Sequence, residues 1–133
     1  ERGWKEVGLR DVIQRQVERY TSQGELKGPE IAIAASIVQP LSLVIHELIV
    51  NAAVHGSLST PGGRLCIEWE KIGHDGGFKM IWKEPGIQQP DHPKSGFGTV
   101  MVKPMIEQQL SGQLRRDWLD RGLEIRLEVP GFS

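Results

Sequence analysis

"LSLVIHELIVNAAVHG", Leu41 to Gly56, is the stretch that decides how this sequence is read. Most of it has the composition of a core helix, yet His46, Glu47, Asn51 and His55 interrupt it. With Glu47 at zero on a wheel of about 100° per residue, Asn51 falls about 40° away and His55 follows one turn later. Leu41, Ile45, Leu48 and Ala52 form the neighbouring core face, while Leu43, Val50 and Val54 supply apolar residues on the other side. A carboxylate placed between two apolar strips needs a partner, because burying its charge unpaired is costly. Two readings stand at this point. One is an internal Glu–His or Glu–Arg pair that only shapes the core. The other is a site floor offering oxygen ligands to a hard cation. Carboxylate and amide oxygens suit Mg²⁺, which usually arrives with phosphates. Zinc is not suggested, since His74 and His92 sit in Gly- and Pro-rich turns and no second His or Cys stands at zinc spacing from His46.

Working outward, "LRDVIQRQVERY" places Leu9, Val12, Ile13, Val17 and Tyr20 at helical spacing. "GPEIAIA" predicts a short strand after a Gly-Pro break, and Ser36 is the expected cap of the long helix. Gly56 is its expected left-handed stop. "RLCIEWE" and "FKMIWKE" alternate, with Leu65, Ile67 and Trp69 on one face of the first and Phe78, Met80 and Trp82 on one face of the second; "KIGHDGG" joins them as a hairpin. Pro85 to Gly98 then reads as a long irregular loop of the kind that serves as a lid. "TVMVKPMIEQQL" returns to helical spacing with Pro104 in its first turn. A second hairpin around Arg121-Gly122 closes the chain, with Leu123, Ile125, Leu127 and Val129 facing inward. The order predicts an α+β fold: a two-layer sandwich of one mixed sheet with helices on one face and a lid loop.

The 133 residues suffice for one domain with one core, and 38% apolar with 25% charged residues is an ordinary globular composition. The net charge of −1 gives no footprint for nucleic acid, and Arg115-Arg116 reads as a solvated strand face. The single cysteine, Cys66, excludes an internal disulfide, fits a reducing compartment and reads as a buried structural thiol. No run of 18 apolar residues and no signal-peptide pattern occurs. The sequence begins at Glu1 rather than Met, so the expectation is a fragment or processed form whose sensor or membrane segment lies elsewhere.

Two further pieces join the helix. "WKEPG" ends a strand in a carboxylate, Glu84, and a tight turn at Gly86. "SGFGT" runs from the lid into a helix, where Gly96 and Gly98 allow backbone N–H groups to approach phosphate. In the order HELxxNAxxHG, WxExG, GFGT, these pieces resemble the nucleotide-binding domain of the GHKL ATPase superfamily (the Bergerat fold). More closely they resemble the HWE subfamily of sensor histidine kinases, whose signature His and Trp-x-Glu correspond to His46 and Trp82-Lys83-Glu84. The resemblance also takes in "GSLSTPGG" and "DWLDRGLEIRLEVP" and so covers nearly the whole chain.

The resemblance implies ATP and Mg²⁺ as ligands. Asn51 would hold the metal against the triphosphate. Glu47 would act near the γ-phosphate, with His46 beside it in the catalytic pair. His55 would lie near the phosphates. Glu84 would read the adenine amino group in place of the usual Asp, and Gly86 would let the backbone pass under the base. Gly96, Phe97, Gly98 and Thr99 would give the lid its hinge and phosphate contacts. Residues 1–133 would be one catalytic domain, cytoplasmic in a bacterium, donating a phosphoryl group to a histidine on the dimerisation domain of a homodimer and thence to a response regulator. Neither nucleic acid nor a membrane contact of this domain is expected, although the full-length protein could be membrane-anchored. Two departures stand out: Val54 occupies a position where relatives often carry Lys, and Ile87-Gln88 follows Gly86 where more glycine is usual. No phosphoacceptor helix is visible, so the acceptor is expected upstream or on another chain. The alternatives are an anti-sigma-factor-type serine kinase of the same superfamily and an interaction domain that kept the fold but lost ATP.

Overall fold

A computed structural model describes residues 7–22, 24–73, 77–87, 104 and 106–130. Its order is β1 (Val7–Gly8), α1 (Leu9–Val17), β2 (Gly24–Lys27), β3 (Ala32–Ile33), α2 (Ala35–Val54), a 3₁₀ turn (Ser57–Ser59), β4 (Leu65–Ile72), β5 (Gly77–Pro85), β6 (Gln113–Leu119) and β7 (Gly122–Val129). The five-stranded sheet runs β2-β4-β5-β7-β6, and β1 pairs separately with β3. Only β2–β4 is parallel; β4–β5, β5–β7 and β6–β7 are antiparallel. This is the mixed sheet that the sequence predicts. The α+β class holds as well.

Strand alternation sorts the two faces. Leu65, Ile67 and Trp69 of β4, Phe78, Met80 and Trp82 of β5, and Leu123, Ile125, Leu127 and Val129 of β7 are all buried. They form one core with Leu9, Val12, Ile13 and Val17 of α1 and with Leu41, Val44, Ile45, Leu48, Ile49 and Ala52 of α2. Each fully buried aliphatic side chain contributes about 1.5–3 kcal/mol relative to exposure. The opposite face carries a charge lattice that includes Lys83–Glu68 at 3.2 Å and Arg126–Glu124 at 2.8 Å. By length and composition α2 is apolar enough to cross a bilayer. Its burial against α1 and the sheet makes it a core helix.

Several expectations need correction. β2 was not anticipated, because "GELK" offers a single apolar residue; its parallel pairing with β4, Leu26 opposite Ile67, is a long-range event. The strand in "GPEIAIA" is only Ala32–Ile33, and it pairs with β1 rather than with the main sheet. α1 stops at Val17, so Tyr20 lies beyond it, 40% exposed. Ala34, not Ser36, is the N-cap of α2, without a side-chain cap bond. Pro40 is tolerated within α2 near its start, where only one carbonyl of the first turn loses its donor. Cys66 is half-buried on the charged face, and burial followed by the nearby Glu68 and Glu25 pushes its thiol pKa up, away from reactivity. Residues 88–103, which include most of the expected lid, lie outside the described residues. Pro104 and 106–108 are helical, as expected.

Candidate functional site

α2 delivers the polar stripe. His46, Glu47 and Asn51 are half-buried and His55 is exposed at the helix end, its N–H bonded to the Asn51 carbonyl at 2.8 Å. The expected strip on the far side of the stripe is not packed: Leu43 is 44% and Val54 60% exposed. Glu47 therefore stands at the border between the core and an open helix face. Among the described residues its carboxylate has no hydrogen-bond or ion-pair partner, so the internal-pair reading of Glu47 finds no support there. The His46 ring meets Tyr20 edge-on, with centroids 6.2 Å apart at 61°, a contact the sequence reading missed. No group of three or more His, Cys, Asp or Glu gathers as a metal cage among the described residues, so a cation at Asn51 would need oxygens from a ligand or water.

The deepest polar group is Glu84, 2% exposed at the end of the central strand β5. Its Oε1 accepts from the Ser57 backbone N–H at 3.0 Å, just beyond α2, and its Oε2 accepts from Trp82 Nε1 at 2.8 Å. The Trp-x-Glu spacing thereby gains a local meaning. Residues two apart share a strand face, so the indole pins the carboxylate. Burial pushes the Glu84 pKa up, opposed by the Ser57 and Trp82 hydrogen bonds and by the Arg116 charge. Arg116 is not on a solvated face, as the sequence suggested. It lies opposite Ile125 on the inner side of β6, half-buried, and desolvation lowers its pKa against the pull of Glu84. The alternation Leu114, Arg116, Trp118 carried that signal.

Gly56 is also corrected. Its φ of −113° and ψ of −147° are not left-handed. A Cβ there would instead come within 2.1 Å of Glu84 Oε1, so glycine is required by the approach of the carboxylate. Gly86 does adopt positive φ, +87°, with its N–H on the Arg121 carbonyl at 2.8 Å and open space where a Cβ would project. The structure thus joins Glu84, Gly56 and Ser57 at the end of the helix that bears Glu47 and Asn51. Gly96, Phe97, Gly98 and Thr99 lie outside the described residues. Among the described residues, one cavity of about 250 Å³ lies on the charged sheet face beside Cys66, Lys83 and Leu119, and another of about 360 Å³ at the start of α1 beside Arg10 and Glu30.

No protein-family model matches the chain. A blue-light-activated histidine kinase of Rhizobium johnstonii is 44% identical over 131 residues, which is 97% of this chain and 38% of that protein. Over nearly its whole length the chain is thus similar to one part of a histidine kinase. Blue-light-activated histidine kinase 1 of Erythrobacter litoralis is 33% identical over 116 residues, covering 84% of this chain and 31% of that one. The chain spans less than two fifths of the length of these relatives. Its fold matches the nucleotide-free catalytic domain of histidine kinase ThkA with a TM-score of 0.77 at 14% identity, covering 98% of both chains. It also matches the ATP binding domain of PrrB from Mycobacterium tuberculosis with a TM-score of 0.68 at 18% identity, covering 99% of this chain and 100% of that one. The fold is thus the GHKL fold of histidine kinase catalytic domains, and the HEL and Trp-x-Glu motifs are consistent with the HWE branch.

Proposed function

We propose that residues 1–133 form the catalytic ATP-binding domain of a cytoplasmic HWE-type histidine kinase. It binds Mg²⁺–ATP and donates the γ-phosphoryl group to a histidine on a dimerisation domain of the same homodimeric protein, from which a response regulator receives it. The observation that carries this reading is the buried Glu84 carboxylate, fixed by Ser57 and Trp82 at the end of the helix that bears Glu47 and Asn51. A carboxylate accepts from an amino group, which fits Glu84 to the exocyclic amine of adenine. Asn51 offers an amide oxygen to Mg²⁺, and the Glu47 carboxylate, without a partner among the described residues, is available to orient groups near the γ-phosphate with His46 beside it. Bound Mg²⁺ supplies neutralisation of triphosphate charge. The chain's own residues hold and align the nucleotide, since phosphoryl transfer is mainly positioning and electrostatics. Gly86 gives the base room and His55 serves the phosphates, a role that the motif also assigns to Gly96, Phe97, Gly98 and Thr99. The relatives named above are blue-light-activated, which favours a light-sensing input in the full-length protein.

Titration calorimetry with ATP, with and without Mg²⁺, tests the reading. Binding strengthened by Mg²⁺ is expected in the wild type, and Asn51→Ala should remove the Mg²⁺ dependence. Absence of binding at millimolar nucleotide would leave only an interaction domain that keeps the fold.

A further inference from the structure

Ser57 carries a feature that neither the packing nor the roles above use. It is 2% exposed, and among the described residues its hydroxyl oxygen is buried without a hydrogen-bond partner. Buried polar atoms are nearly always satisfied, and an orphan points to a missing ligand or water. The neighbouring Ser59 hydroxyl differs: it donates to the Gly56 carbonyl at 2.6 Å and locks the 3₁₀ turn. The Ser57 backbone N–H, at 3.0 Å from Glu84 Oε1, holds the turn against the carboxylate. The Ser57 hydroxyl therefore stands beside Glu84, near enough to favour its charged form but without the geometry of a completed hydrogen bond.

We infer that Ser57 is a second base-recognition residue, its hydroxyl donating to a purine ring nitrogen while Glu84 accepts from the exocyclic amine. The inference rests on the nucleotide reading above. Adenine presents an amino donor beside the N1 acceptor, which a carboxylate next to a hydroxyl matches. Guanine presents a carbonyl oxygen beside an N1–H, which places an acceptor against the carboxylate. A site built from buried hydrogen-bonding groups rejects a mismatched ligand strongly, because those groups would be left unpaired.

The test compares ATP with 1-deaza-ATP, in which N1 is replaced by C–H, by calorimetric titration of the whole chain. Loss of one buried hydrogen bond should make the wild type bind 1-deaza-ATP about three- to tenfold more weakly. Ser57→Ala should bind the two nucleotides about equally, and Ser57→Thr should keep the preference. Equal binding of both by the wild type overturns the inference, and that arm needs no variant to fold. A preference that persists in Ser57→Ala also overturns it. If ATP binds and Glu84→Ala weakens it but neither analogue is preferred, only the Ser57 role falls. If ATP does not bind at all, the nucleotide reading falls with it.

Discussion

Glu84 concentrates the residue-scale physics of this domain. Its folded-state pKa is raised above the ordinary value of 4.5 because burial outweighs the donors around it. Well below pH 4.5 both folded and unfolded chains hold the proton, and this contribution to stability is complete. As pH rises through the folded value the native state must carry a buried charge, and the contribution is lost. Urea unfolding of the wild type minus that of Glu84→Gln should therefore drift downward above pH 4.5; a flat difference would contradict the buried charge. Gly56 supplies a second expectation. A methyl group at 2.1 Å from Glu84 Oε1 forces the carboxylate out, leaving the Ser57 N–H and the Trp82 indole unpaired. Gly56→Ala should cost about 1–3 kcal/mol and weaken ATP binding. Adding Glu84→Asp, one methylene shorter, should recover part of both, as thermal unfolding and titration would show. The sequence revealed that Gly56 and Glu84 were special but not that they touch, because Glu84 reaches across from another element and only the folded chain sets that distance.

At the scale of elements, α2 is both wall and workbench. Leu41 and Ile45 are fully buried, so replacing either with Ala should cost about 2–5 kcal/mol by denaturant titration. Val54 on the same helix is 60% exposed, and Val54→Lys should change stability by less than about 0.5 kcal/mol. If the helix end faces phosphate, that substitution should tighten ATP binding severalfold; unchanged affinity would move the phosphates elsewhere. The extent of α2 and the pairing of β4 with β5 and of β6 with β7 were legible, since period and turn chemistry are local signals. β2 was illegible for the converse reason: its partner, β4, begins at Leu65, far along the chain, and nothing in Gly24–Lys27 announces it. The openness of the face around Leu43 and Val54 was likewise hidden, because a helical wheel cannot tell which of two apolar strips finds a neighbour.

Across the whole molecule, the helix-covered face of the sheet carries the core and the buried Glu84, and the charged face contributes little to stability. Lys83 and Glu68 are 40% and 37% exposed, and exposed pairs contribute roughly 0–1 kcal/mol. Lys83→Ala should therefore leave the unfolding midpoint nearly unchanged, and a large loss would show that the face is covered in the working protein. The sheet order β2-β4-β5-β7-β6 gives β5, the strand that carries Glu84, a neighbour on each side. Its amide protons should trade with deuterium only when the entire domain opens, whereas those of Ser57–Ser59 should trade through small local movements. One mass-spectrometric time course on the whole chain thus contains its own internal clock. Retardation confined to the 3₁₀ turn reports an occupied cleft, and retardation that includes the middle strand reports a more stable fold.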